Sequence, residues 1–174
     1  VATLAASYDG TISYRDANSL VVGTVTDSAM VPPGVSTSGI TTSGDDVKLT
    51  VLLGGLSIQD DILLGAGDLT LNVVGAVTQD GGDTITAAGL QLLGSGTVNL
   101  DDSGNDDTTI AANYDGTISY RDANALVVGT VTDSAMVPPG VSTSGITTSG
   151  GDVELTVLLG GLSVQDGVAL AAGE

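Results

Sequence analysis

YDGTISYRDANSLVVGTVTDSAMVPPGVSTSGITTSGDDVKLTVLLGGLSIQD, residues 8–60, returns at 114–166 with four changes: Ser19 becomes Ala125, Asp45 becomes Gly151, Lys48 becomes Glu154 and Ile58 becomes Val164. The offset is 106 residues, so the 174-residue chain holds a full repeat at 8–113 and a partial second copy at 114–174. Self-similarity at a fixed period marks a repeat architecture, in which each unit buries its apolar face against its neighbours. Residues 1–174 therefore read as one continuous segment cut from a longer array.

A shorter rhythm runs inside the repeat. GDDVKLTV at 44–51, GAGDLTLNV at 65–73 and GSGTVNL at 94–100 each read as a glycine turn followed by an alternating strand. Alternation puts Val47, Leu49 and Val51 on one face and turns Lys48 and Thr50 outward; Leu69, Leu71 and Val73 oppose Thr70 and Asn72 in the same way. Aligning Leu49, Leu71, Leu100, Ile118 and Leu155 predicts intervals of 22, 29, 18 and 37 residues. The longest interval holds TDSAMVPPGVSTSG (132–145), whose proline pair marks a protruding loop inserted into a shorter turn. The predicted fold is all-β: a right-handed parallel β-helix (β-solenoid) with coils of roughly 20–30 residues and about four coils per repeat. A string of β-sandwich domains of about 100 residues is the competitor; it lacks its usual core aromatics and cysteines here.

Composition removes most chemistry. With no Cys and no His, thiol and imidazole catalysis and zinc sites are excluded. Twenty-one acidic residues, all Asp except Glu154 and Glu174, stand against Arg15, Lys48 and Arg121, for a net charge of −18. Nucleic acid is thereby excluded as a partner, since phosphate binding needs clustered cations. The longest apolar run, near 51–58, is too short for a bilayer-spanning helix, so no membrane insertion is expected. Hydrophobic residues make up 41% of the chain, which separates it from disordered acidic sequences.

ITAAGLQLLGSGTVNLDDSGND (85–106), TIAANYDGTISYRDANALVVGTV (109–131) and GITTSGGDVELTV (145–157) together resemble the repeats of filamentous-haemagglutinin-like giant bacterial surface proteins. That resemblance implies a parallel β-helix adhesin, secretion to the cell surface and a non-enzymatic, structural or adhesive role in a long extracellular fibre. The chain would be shaft, with further copies of its own repeat as partners, a host or neighbour-cell ligand and lateral or end-to-end self-association. A self-assembling extracellular matrix or sheath filament is the alternative. A calcium-dependent tandem β-sandwich adhesin and a carbohydrate-active β-helix enzyme stand behind both.

Three candidate sites emerge from the residues. DDSGNDD (101–107) offers Asp101, Asp102, Asp106 and Asp107 as oxygen ligands for calcium, without the spacing of an EF-hand. No other cofactor is implied. The loop at 132–145 offers Asp133, Met136, Pro138 and Pro139 for recognition. SYRDAN carries Arg15 beside Asp16 and Arg121 beside Asp122; the preferred reading is arginine neutralising aspartates stacked on adjacent coils rather than catalysis.

Overall fold

A computed structural model describes residues 1–29, 34–134 and 140–171. Every regular element among them is a strand. Val, Ile, Leu and Thr dominate these segments, and glycine or aspartate separates them, which is the composition that favours short pleated strands over helices. Seventeen strands join in one sheet through parallel pairings, and two antiparallel hairpins complete the set.

The parallel pairings form ladders with a steady interval. Tyr14 lies against Leu49, Leu49 against Leu71, Leu71 against Leu92 and Leu92 against Ala112. A second ladder takes Thr3 to Val21, Val21 to Ser57, Ser57 to Thr78, Thr78 to Asn99, Asn99 to Ser119 and Ser119 to Glu154. A third takes Ser7 to Thr41, Thr41 to Leu63, Leu63 to Thr86 and Thr86 to Asp106. Partners are 18–23 residues apart where the connection is plain and 34–36 apart where a hairpin is inserted.

The inward set is apolar and small. Val47, Leu49 and Val51 stack on Leu69, Leu71 and Val73, all at most 1% exposed, and Leu90 and Leu92 continue the file. Tyr120 and Tyr114 join this core, Tyr14 packs at its margin, and Tyr8 is exposed. At one corner the file changes to glycine. A Cβ on Gly75 would strike the carbonyl of Gly54, one on Gly96 would lie 2.5 Å from the oxygen of Gly75, and Gly116 and Gly151 repeat the pattern on Gly96 and Gly116. Backbone therefore runs against backbone from rung to rung, where no side chain fits.

This corner corrects the expected register. Leu49 does pair with Leu71, but Leu71 then meets Leu92, not Leu100. Leu100 meets Tyr120, Ile118 meets Val153, and Tyr120 meets Leu155. The physical reason lies in Gly94-Ser95-Gly96: it is not a turn between strands but a bend inside the continuous strand Ile85–Leu100. Gly94 and Gly96 hold φ of 117° and 120°, which reorient the strand without breaking its ladder.

The inserted loops are antiparallel hairpin arms. Thr24–Thr26 pairs with Ser36–Ser38, and Thr130–Thr132 pairs with Ser142–Ser144. Each is closed at its base by one backbone bond, Gly39 N to Gly23 O (3.2 Å) and Gly145 N to Gly129 O (2.8 Å).

Gly96→Ala places a methyl against the Gly75 carbonyl in a conformation L-residues avoid, and a loss of about 1–3 kcal/mol in stability is expected by chemical denaturation. Gly81→Ala, with open space around its Cβ, should leave the midpoint unchanged.

Candidate functional site

The acidic run 101–107 is divided by the strand that begins within it. Asp101 Oδ1 accepts from Ser119 Oγ (2.8 Å), and Asp102 accepts from Gly82 N and Gly104 N (2.7 and 2.8 Å). Asp106 opens the strand Asp106–Asp122 on its exposed side, and alternation sends Asp107 to the interior, where it is fully buried. The four carboxylates thus face different surroundings. Among the described residues no group of three or more acidic side chains is placed to share a cation.

Asp107 instead meets two residues of the SYRDAN segment. Tyr120 Oη lies 2.8 Å from Asp107 Oδ2 and 3.0 Å from Asp122 Oδ2, and the Asp107 amide donates to Asp122 Oδ2 (3.0 Å). Burial lifts the Asp107 carboxyl to about 8, with the neighbouring Asp122 charge adding to the rise. A proton kept on Asp107 lets it donate to Tyr120 Oη, which in turn donates to Asp122. In the first copy Val1 stands at the equivalent position, and Tyr14 Oη makes only a 3.4 Å contact with Asp16 Oδ2.

SYRDAN itself is a turn device. Asp16 Oδ1 accepts from Asn18 N (2.7 Å) and Asp122 Oδ1 from Asn124 N (2.8 Å), each closing an Asx turn. The expected neutralisation by arginine is not found. Lys48 with Asp133 is the one ion pair among the described residues; Arg15 is exposed, and Arg121 Nε is buried without a hydrogen-bond partner. The aspartates had a nearer use, in their own turn.

The most elaborate polar assembly covers the outer face of the sheet. Lys48, Thr70 and Gln91 lie in register on strands Val47–Val51, Asp68–Val74 and Ile85–Leu100. Alternation turns them outward, yet Thr70 and Gln91 are at most 2% exposed because the second arm lies over them. Gln91 Nε2 donates to Val141 O (2.7 Å) and Thr143 Oγ1 (2.8 Å), and its Oε1 accepts from Thr70 Oγ1 (2.9 Å). Lys48 Nζ pairs with Asp133, and Ser134 Oγ donates to Asp46. Val131 fills the space above Gly89, where a Cβ would lie 2.8 Å from Val131 Cγ1. Asp68, at the margin of this contact, is raised to about 6 by burial and by Asp46.

Compared with protein-family models, with curated proteins and with solved structures, the chain matches none.

The outer face corrects two expectations. Lys48 leaves the interior as alternation requires, but it is not solvated: its side chain is 14% exposed beneath the arm. Asp133, placed with Met136, Pro138 and Pro139 in a recognition loop, is buried and committed to Lys48. Met136, Pro138 and Pro139 lie outside the described residues. A pairing 85 residues apart leaves no local pattern; the visible signal was a lone lysine in an anionic chain, replaced by Glu154 in the other copy.

Two outcomes are expected. Lys48→Met strands the Asp133 charge, an uncompensated burial of about 3–5 kcal/mol that the arm relieves by lifting off; amide exchange at Val131 and Thr143 should rise to the rates of Val25 and Thr37. For pH, an unfolded Asp titrates near 3.8, whereas folded Asp107 and Asp68 titrate near 8 and 6. The folded chain then holds protons that the unfolded chain has lost, so this stabilisation is complete below about pH 4 and disappears as pH rises through 6 and 8. Denaturant midpoints should fall from about pH 4 to about pH 8, and Asp107→Asn should flatten the part between 6 and 8, where Asp68 has already lost its proton.

Proposed function

We propose that the chain is a non-enzymatic shaft segment of a long extracellular bacterial fibre, wound as a right-handed parallel β-helix and akin to filamentous-haemagglutinin-like adhesins. One observation carries this reading: the two copies adopt the same strands in the same parallel register. Ile12 pairs with Val47 as Ile118 does with Val153, and Leu20 with Leu56 as Leu126 does with Leu162. A unit that pairs in parallel with the next unit lengthens the object by repetition, at little topological cost. The steady interval of the ladders and the glycine corner favour closure into coils of about 20 residues. Parallel pairing throughout the large sheet does not suit the antiparallel layers of a sandwich domain.

Function then arises from length, charge and repetition rather than from a reaction centre. A net charge of −18 keeps neighbouring fibres apart, and a surface presented again every 106 residues suits multivalent weak binding to a host or neighbouring cell surface. A second reading, a self-assembling matrix or sheath filament, draws on the same repetition: a ladder that pairs unit with unit in parallel inside one chain is a surface that can pair chain with chain.

Four parallel steps take Tyr14 to Ala112, and Tyr120 lies about a third of a turn further, so one repeat advances the fibre by about 21 Å at about 4.8 Å per step. Averaged electron micrographs of extended arrays should show that spacing. Beads of about 35–45 Å would sink the shaft reading. Assembly of the purified array into filaments without any ligand would favour the matrix.

A further inference from the structure

The two arms are the same peptide in two situations. Residues 24–29 and 34–38 are identical to 130–135 and 140–144, and both arms make the same internal ladder: Thr24 Oγ1 to Ser38 Oγ and Thr26 Oγ1 to Ser36 Oγ at 2.7 Å, matched by Thr130 with Ser144 and Thr132 with Ser142 at 2.5 and 2.7 Å. Both are anchored alike, Thr24 Oγ1 donating to Asp60 (2.8 Å) and Thr130 Oγ1 to Asp166 (2.9 Å). The arm is therefore a preformed element whose shape does not depend on docking.

Only the second arm is covered. Val131 is 3% exposed and Val25 is 42% exposed; Asp133 is buried and Asp27 exposed; Thr143 is buried and Thr37 half-buried. Each exposed group of the first arm is the copy of a group that is matched in the second. Val25 copies the side chain seated over Gly89, Asp27 the carboxylate paired with Lys48, and Val35 O and Thr37 Oγ1 the acceptors of the Gln91 amide.

We propose that the first arm is a docking element, and that its occupant is the outer face of another unit of the same kind, carrying glycine, glutamine and lysine where this chain has Gly89, Gln91 and Lys48. The recognition is specific in charge. Glu154 replaces that lysine in the second copy, so a face built on Glu154 would set a carboxylate against the Asp27 carboxylate. Arms and faces are thus matched by the residue at this one position. The inference rests on the two environments of one sequence and stands apart from the fibre reading.

In a single chain the Lys48 face is already filled by its own arm, which holds it at high effective concentration. The test opens it. Asp27→Lys with Asp133→Lys in one chain drives the second arm off Lys48 and disables the first arm, making an acceptor; the wild-type chain, labelled, is the donor. A complex of one acceptor with one donor is expected by sedimentation. With Asp133→Ala in place of Asp133→Lys, so that the acceptor's own arm carries no charge to pair at position 48, Asp27→Lys in the donor or Lys48→Glu in the acceptor should weaken it at least tenfold, and the two changes together should restore it. A second acceptor, in which an Asn-Gly turn replaces residues 130–144, covers misfolding of the first, since the base is already closed between Gly145 N and Gly129 O. No complex at concentrations on the order of 100 µM, or a complex indifferent to the charge exchanges, would overturn the proposal.

Discussion

Everything in this molecule depends on parallel backbone pairing at an interval of about 20 residues. A parallel ladder supplies each strand with partners on both sides, but only if successive rungs are equal in length and their corners superimpose. The corner through Gly54, Gly75, Gly96, Gly116 and Gly151 meets that demand by removing side chains where carbonyl oxygens face the next α-carbon. Elsewhere the rungs are filled by Val, Leu and Ile, whose like-on-like stacking is satisfied by small, branched shapes. A large ring in one rung would demand a matching space in the next. The near absence of aromatics is therefore part of the architecture; Tyr114 and Tyr120 are admitted because their hydroxyls reach Gly75 and Ser95 carbonyls in one case and two carboxyls in the other.

A ladder with this tolerance allows insertion without disruption. An arm leaves between Gly23 and Gly39, or Gly129 and Gly145, across a single backbone bond, so the rung closes as if the arm were absent. What the arm does next is decided by the surface it meets. The outer face presents an amide, an ammonium and a bare glycine, and the arm answers with carbonyl and hydroxyl acceptors, a carboxylate and a valine. Burial of Gln91 and Thr70 is tolerated because each finds its partner in the other or in the arm.

Much of the fold was legible in the residues. The alternation of Val47–Val51 and Leu69–Val73, the first rung interval and the inserted loop all stand in the pattern, because strand period and turn chemistry are local. The second interval was not legible: Gly94 and Gly96 look the same as a turn and as a bend, and only the ladder on both sides distinguishes them. The outer face was hidden for a different reason. Alternation tells which side of a strand a residue occupies, but not whether another part of the chain covers that side, so Lys48 read as simply outward-facing and Asp133 as a loop residue, and Gln91 gave no signal at all. Asp107 was lost among its acidic neighbours, since burial of one carboxylate in a run of four depends on which residue begins the strand.

The four differences between the copies separate what the backbone needs from what the surroundings need. Asp45 becomes Gly151, yet the turn bond from Thr42 Oγ1 to Asp45 O (2.8 Å) is kept as Thr148 Oγ1 to Gly151 O (2.9 Å), since a carbonyl serves whatever the side chain. Ser19 accepts from Gly55 N at 3.3 Å; Ala125 gives up that contact while its neighbour Leu126 keeps its ladder with Leu162. Ile58, fully buried, becomes Val164, an apolar exchange on the inward side. Lys48 to Glu154 is different in kind, because no backbone bond depends on it and its only visible partner lies on the arm. Of the four, it alone reverses the charge of a face, and so it alone alters which surfaces can meet.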